Sequence, residues 1–292
     1  MGKSVVANLF LIGASKCAST YLHDLLGLHP DIYMSKNKEP CFFNEIVSEG
    51  GLCKYEDSFK GQCGEKYIGE STPLYSETTY FKGTPQRIHD YNPDSKIIYI
   101  VREPFSRLES VYKQTIYSGH DKELKYYDRL MPSDFNEAII NYPPFLEATK
   151  YRTHLDNYLE YFTKNSVKVI LFEELVSNPQ RVLVDIFKFL GINLIEINCE
   201  LAKKNESNNK RQYNRTFNRL RGMLPVSFRE ALPEGAVDYA KSVLPLILNR
   251  KIPKPDINDE SVIVIRDTLR SEVEGIYEYM EIKGDPWSFF NK

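Results

Sequence analysis

Three near-continuous apolar runs, Leu9 to Ile12, Ile97 to Val101 and Val167 to Leu175, have the pattern of strands buried on both faces of a parallel sheet. Ile32 to Met34 and Tyr67 to Pro73 read as briefer strands. Between them the apolar period lengthens to that of helices. One runs from about Thr20 to Leu28 and is stopped by His29-Pro30; another spans Pro85 to Asp90 and ends at Asn92-Pro93. A third starts at Pro104, which suits a first helical turn, and carries Leu108, Val111 and Tyr112 as its apolar stripe. Two helices are expected from Ser133 to Phe162, broken at Pro143-Pro144, and one from Val182 to Ile192, closed by Gly191. From Glu260 to Met280, Val262, Ile265, Leu269, Val273 and Ile276 recur at helical spacing, a structural amphipathic helix with no chemistry assigned. Residues 46–66 have no clear period and read as an irregular surface excursion. No repeat or linker divides the chain. The pattern predicts a single α/β domain, residues 1–292, with a mostly parallel central sheet and a helical C-terminal third.

The junction from Phe10 to Leu22, FLIGASKCASTYL, carries the first chemistry. A strand, a tight loop and a helix N-terminus point several backbone N–H groups and the positive end of the helix dipole at one spot, which suits a phosphate or sulfate. The ATP-binding form of such a loop has a second glycine, a lysine just before the Ser/Thr, and a hydroxyl for Mg²⁺. Here Ala18 replaces the glycine and Ser19 the lysine, and the only cation, Lys16, sits inside the loop. The loop is built for an anion and poorly built for a Mg-nucleoside triphosphate. Arg102 follows the strand Ile97 to Val101, at the carboxyl edge where open α/β sheets bind ligands. On its position alone it is either an anion ligand or a structural ion-pair partner.

Composition narrows the classes. With a net charge of −2 over 292 residues, no global field draws the chain to nucleic acid or an anionic membrane, so anion binding must be local. One local exception is Glu200 to Arg221, where seven basic residues face two acidic ones, a charge of +5; it is a solvated basic face or a cover for a bound anion. No apolar run of about 18 residues occurs, and strand-like sequence begins within a few residues of the start without a signal-peptide core. The five cysteines, Cys17, Cys41, Cys53, Cys63 and Cys199, lack metal-site spacing. They read as free thiols, and the expectation is a soluble, cytoplasmic chain with no metal. Cys17, in the loop, is either a small packing residue or a reactive thiol.

Taken in order, these blocks resemble the sulfotransferases that use 3′-phosphoadenosine 5′-phosphosulfate (PAPS), in particular the branch shared by bacterial enzymes and the heparan-sulfate sulfotransferases. GASKCAST is similar to the family's 5′-phosphosulfate loop, with a lysine at the place of Lys16. HPDIYMSKNKEPCFF matches its histidine-proline followed by Lys-Glu-Pro and two aromatics, GESTPLY its next short motif, and VREPFSRLESVY its 3′-phosphate motif, with Arg102 and Ser110 in the family's spacing. FEELVSNPQRVLVDIFKFLGI looks like the segment that follows. Two departures stand out: Ala18 where glycine is usual, and Ser71 where many heparan-type members have a second active-site lysine.

The resemblance implies a P-loop-like three-layer α/β fold and transfer of a sulfuryl group from PAPS, leaving adenosine 3′,5′-bisphosphate, to a hydroxyl or, less readily, an amine of a glycan or small-molecule acceptor. It implies that Lys16, Cys17, Ala18, Ser19 and Thr20 hold the 5′-phosphosulfate, with Lys16 also catalytic. It implies that Arg102, Ser110 and Arg211 hold the 3′-phosphate, and that Glu39 takes the acceptor's proton in a setting made apolar by Phe42 and Phe43. Glu70 and His23 are the competing bases, and Glu39 could instead pair only with Lys36, Lys38 or Lys16. Two other classes stay open: a P-loop-type kinase or hydrolase, and a non-catalytic anion- or glycan-binding module. A glycan, a small hydroxylated metabolite and a tyrosyl peptide are all compatible as acceptors, and oligomeric state is not legible.

Overall fold

The computed structural model of the chain describes residues 6–44, 51–118, 131–202, 211–212, 250–251 and 254–290. Five strands form one all-parallel sheet: β1 (Leu9–Gly13), β2 (Ile32–Met34), β3 (Tyr67–Ser71), β4 (Lys96–Val101) and β5 (Val167–Leu171), in the order β2-β3-β1-β4-β5. All residues of β1 are buried, as are all of β4 after Lys96. That is the double-faced burial their unbroken apolar composition requires. The strand order reverses at β1: the chain first builds outward to β2 and β3, then crosses to β4 on the other side. Ligands of open α/β sheets bind at such a reversal, beyond the carboxyl ends of the strands.

The crossover helices follow their local signals. Helix α9 (Pro179–Leu190) opens with the Asn178 side chain accepting from the Arg181 amide and with Pro179 in its first turn. It buries Val182, Leu183, Ile186, Phe187 and Leu190, and stops at Gly191, whose φ of 60° is left-handed. Each such fully buried side chain contributes about 1.5–3 kcal/mol. The other helices are α1 (Ser19–Leu26), α2 (Gly51–Asp57), α3 (Thr84–Tyr91), α4 (Pro104–Ser118), α5 (Phe135–Asn141), α6 (Pro143–Glu147), α7 (Tyr151–Leu159), α8 (Phe172–Ser177) and α10 (Asp259–Tyr279). In α10 the stripe Ile265, Leu269, Val273 and Ile276 is fully buried.

Three local expectations are corrected. Residues 46–66 are not wholly irregular: they contain α2, fixed by one buried residue, Tyr55, whose ring stacks on Phe42 at 4.6 Å. The apolar run after Val167 does not stay extended to Leu175; it turns helical at Phe172. Pro143 does not merely break a helix but opens α6, so three helices stand between Ser133 and Phe162. A proline in a first helical turn costs no hydrogen bond.

By packing, the chain divides into two compact units, residues 1–107, 146–205 and 265–292, and residues 108–145 and 206–264. The first holds the sheet. In the second, Phe135 packs edge-on against Tyr112 and Phe145, the side chain of Asn136 bonds to the main chain of Asp256 and Asn258, and a short antiparallel pair joins β6 (Arg211–Gln212) to β7 (Arg250–Lys251). Most of the basic stretch, residues 203–210 and 213–221, lies outside the described residues.

Candidate active site

The loop between β1 and α1 is shaped by backbone conformations that side chains resist. Gly13 has φ of 141°, and a Cβ there would lie 2.6 Å from the Pro73 carbonyl and 2.5 Å from Ser76 Oγ. Only glycine fits that approach. Lys16 and Ala18 are left-handed, with φ of 68° and 62°. Left-handed residues alternating along a short loop turn successive N–H groups to one side, a concavity that suits an anion. Position 18 therefore wants the glycine it lacks, and alanine there costs about 1–2 kcal/mol. No side chain caps α1, which leaves the first-turn amides of Ser19 and Thr20 available at the positive end of the helix.

Two arginines bond to main-chain carbonyls of the loop. Arg107, 1% exposed, donates from Nε to the Ser15 carbonyl at 3.1 Å and from Nη1 to Thr149 Oγ1 at 2.8 Å. Burial opposes its charge, and the surrounding Tyr151, Cys17 and Glu77 more than offset that effect. Arg102 donates from Nη1 to the Lys16 carbonyl at 3.1 Å, and its guanidinium lies 4.2 Å above the Phe172 ring. Carbonyls 15 and 16 are thus both engaged by buried or partly buried guanidinium groups. Arg102 is itself fixed: Tyr151 donates to its carbonyl at 2.9 Å. Its Nε is buried without a hydrogen-bond partner among the described residues. A buried unpaired guanidinium N–H is costly, and an anionic ligand would satisfy it. The choice between anion ligand and ion-pair partner for Arg102 thus narrows, since no carboxylate lies within 4 Å of it among the described residues.

Cys17 is fully buried, its amide donates to the Ala14 carbonyl at 3.3 Å, and burial pushes its thiol up to about 11. It is a packing residue and not a reactive thiol. All five cysteines are free. Among the described residues no group of three or more His, Cys, Asp or Glu side chains is arranged to hold a metal ion. No helix among them is long and apolar enough to cross a membrane.

The Lys-Glu-Pro segment is tied to the same edge of the sheet. The Glu39 amide donates to the Ser71 carbonyl at 3.1 Å, Ser71 pairs in register with Leu11, and the Thr72 amide donates to the Leu11 carbonyl at 3.1 Å. Glu39 and Cys41 are both left-handed at φ 54°, on either side of Pro40. Two such non-glycine residues together mark a strained segment. The expected apolar enclosure of Glu39 is corrected: its side chain is exposed, because Phe43 turns into the core against Phe10 and Tyr75 and Phe42 stacks on Tyr55. The competing bases are buried. Glu70 is 0% exposed and accepts from Tyr55, Tyr75 and Thr72 hydroxyls at 3.0, 2.9 and 2.6 Å. His23 is 6% exposed, and burial followed by the field of Lys38 lowers it to about 4. Ser71 Oγ, where a second lysine would stand, is buried without a partner among the described residues.

Lys16, Cys17, Ala18, Ser19, Thr20, Arg102 and Glu39 all belong to the first unit; Ser110, within α4, and Arg211, at the start of β6, belong to the second. Sequence reasoning missed Arg107, Tyr151 and Phe172. The one available signal was Arg107 itself, a charge adjoining the apolar stripe of α4 beside fully buried Leu108.

A parallel sheet reversing at β1, with an anion-shaped loop at the reversal and an arginine bonded to it, defines a P-loop-like α/β protein. The family model of the sulfotransferase domain matches residues 7–238, and the chain belongs to that family. It is similar to heparan sulfate glucosamine 3-O-sulfotransferase 6 of Mus musculus and of Homo sapiens, each 29% identical over 198 residues, 66% of this chain and 55% of theirs. It is also similar to heparan sulfate glucosamine 3-O-sulfotransferase 3B1 of Homo sapiens, 27% identical over 195 residues, 66% of this chain and 48% of that one. The chain thus spans about half the length of the curated relatives it matches. In fold it is similar to a sulfotransferase from Alicyclobacillus acidocaldarius, with TM-score 0.66 and 20% identity over 97% of this chain and 99% of that one. The sulfotransferase domain of the curacin biosynthetic pathway aligns with TM-score 0.51 and 16% identity over 92% and 99%.

Proposed function

We propose that the protein transfers the sulfuryl group of PAPS to a hydroxyl of a glycan or small-molecule acceptor. The observation that carries this reading is the bond from Arg102 to the Lys16 carbonyl. It sets the guanidinium beside the anion loop, as a donor with one phosphate at each end of its ribose requires. The residues fit such a substrate: left-handed Lys16 and Ala18 shape the loop, the start of α1 has no side-chain cap, and the buried Nε of Arg102 is a donor without an acceptor among the described residues.

In this reading the loop amides, Ser19 and Thr20 hold the 5′-phosphosulfate, and Lys16 meets the charge that develops on the departing 5′-phosphate. A well-placed donor of this kind is worth about 3–4 kcal/mol. Arg102 grips the 3′-phosphate. The acceptor oxygen forms its bond to sulfur as the bond from sulfur to the phosphate oxygen breaks, and the acceptor's proton passes to the Glu39 carboxylate. Glu39 is the base because it alone of the three candidates is exposed at the carboxyl edge of the sheet, whereas Glu70 and His23 are buried. Heparan sulfate relatives support a glycan hydroxyl as acceptor. None of the five cysteines is in a disulfide, which favours a reducing, cytoplasmic setting.

The test is a screen of acceptors, desulfated heparan-type glycans, hydroxylated small molecules and tyrosyl peptides, with radiolabelled PAPS in EDTA, read by mass spectrometry of the product. Transfer to a hydroxyl that persists in EDTA is expected. Turnover of ATP with Mg²⁺ would replace this reading with a kinase or hydrolase. Binding of adenosine 3′,5′-bisphosphate with no transfer to any acceptor would leave a binding module.

A further inference from the structure

Beyond residue 238, where the family match ends, the chain returns to the sheet-bearing unit as a turn that has no assigned role. Asp285 organises it: one carboxylate oxygen accepts from Tyr277 Oη at 3.0 Å and the other from the Phe290 amide at 2.8 Å. These bonds hold the carboxyl below its usual range despite the opposing effect of its partial burial. Trp287, 4% exposed, packs on Tyr277 and Tyr151, with ring centres 5.3 and 6.3 Å apart, and Phe289 packs on Phe105 at 5.8 Å.

The turn reaches Arg102 by two routes. Trp287 Nε1 donates to Glu173 Oε2 at 2.9 Å, and Glu173 Oε1 accepts the Glu103 amide at 3.0 Å, the residue next to Arg102. Glu103 in turn accepts from the amides of Phe105 and Ser106 and so caps α4. The second route is Tyr151, which touches Trp287 with its ring and donates to the Arg102 carbonyl. Phe172, under the guanidinium, is the neighbour of Glu173 in α8. Both the backbone of Arg102 and the ring beneath its side chain are therefore located by groups that Trp287 locates.

We propose that Trp287 is a positioning residue for the 3′-phosphate grip, acting on Arg102 through Glu173 and Tyr151; the inference rests on the sulfotransferase reading above. Glu173 is held between two donors, so removing the indole N–H frees its carboxylate to rotate and loosens the Glu103 amide. Arg102 then keeps its charge but loses its fixed direction. A forked contact to a phosphate depends on direction as much as on charge. The 5′-side of the site meets this chain of bonds only through the bond from Arg102 to the Lys16 carbonyl, so a smaller effect is expected there.

The experiment measures the affinities of the full chain for adenosine 3′,5′-bisphosphate and adenosine 5′-monophosphate in the parent, Trp287→Phe and Glu173→Gln. Trp287→Phe keeps an aromatic ring and removes the donor; Glu173→Gln keeps the shape and removes one acceptor, so it answers the question should the first variant unfold. Both are expected to weaken the bisphosphate by about tenfold, the scale of one hydrogen bond to a charged group, and to leave the monophosphate within about twofold. Equal losses for the two ligands, or no loss for either, would overturn the role of Trp287. A parent that shows no preference for the bisphosphate would instead remove the sulfotransferase reading, and this inference with it.

Discussion

Arg102 Nη1 and the Lys16 carbonyl are joined at 3.1 Å across 86 residues of sequence. The arginine after β4 thus touches the loop after β1, and the two halves of the proposed nucleotide grip are joined by a bond. Arg102→Ala removes this tie as well as the phosphate ligand. It is expected to weaken adenosine 3′,5′-bisphosphate by at least tenfold, and adenosine 5′-monophosphate by a smaller factor of about two to five through the slackened loop, on the scale of one hydrogen bond. Calorimetric titration of both ligands checks it; equal losses would mean that Arg102 acts only on the loop.

Arg107 gives the complementary pattern. It is buried and bonds to Ser15 and Thr149. Arg107→Met removes the buried donors to the Ser15 carbonyl and the Thr149 hydroxyl, a loss on the order of 1–3 kcal/mol. Urea unfolding should register that loss. In protein that remains folded, both nucleotides should weaken by the same factor, because the loop and not the 3′-phosphate contact is disturbed.

The sheet and the anion loop were legible because their signals are local: unbroken apolar runs for β1 and β4, and a glycine followed by small residues for the loop. What stayed hidden depends on distant partners. Helix α2 is anchored by Tyr55, whose hydroxyl reaches Glu70 fifteen residues away, and no period within residues 46–66 announces that bond. The apolar run after Val167 continues through Phe172, but its second half serves Arg102 and the Glu103 amide and turns helical. Burial of a charged side chain such as Arg107 is likewise decided by a carbonyl 92 residues away. The exposure of Glu39 has the same cause: long-range stacking draws the adjacent aromatics into the core and away from its side chain.

Glu39 sits in a strained segment, left-handed on one side of Pro40 with Cys41 left-handed on the other. Such strain costs on the order of 1–3 kcal/mol per residue and persists where the surroundings hold it. Glu39→Gln keeps the shape and removes the proposed proton acceptor. It is expected to leave nucleotide affinity nearly intact and to cut turnover by a factor on the order of 10²–10⁴. Near-normal turnover of the variant across pH would take Glu39 out of the mechanism.

Glu70 carries a pH signature of a different kind. Its carboxyl is wholly buried, and burial raises it from 4.5 to about 7, against the opposing effect of the three hydroxyls that donate to it. The folded protein therefore holds this proton more tightly than the unfolded chain does. Stability from the protonated form is fully present below about pH 4.5 and is lost as pH rises through about 7, where the folded group ionises. The loss across that window is on the order of 3 kcal/mol. Glu70→Gln is neutral at every pH and keeps an oxygen for Tyr55 and Tyr75 and an amide beside Thr72. Urea unfolding from pH 5 to 8 should show the parent losing stability over that range relative to the variant, with the difference levelling off above about pH 7. Parallel profiles for the two proteins would mean that the three hydroxyl bonds hold Glu70 ionised throughout, and that the cluster is a fixed polar core with no linkage to pH.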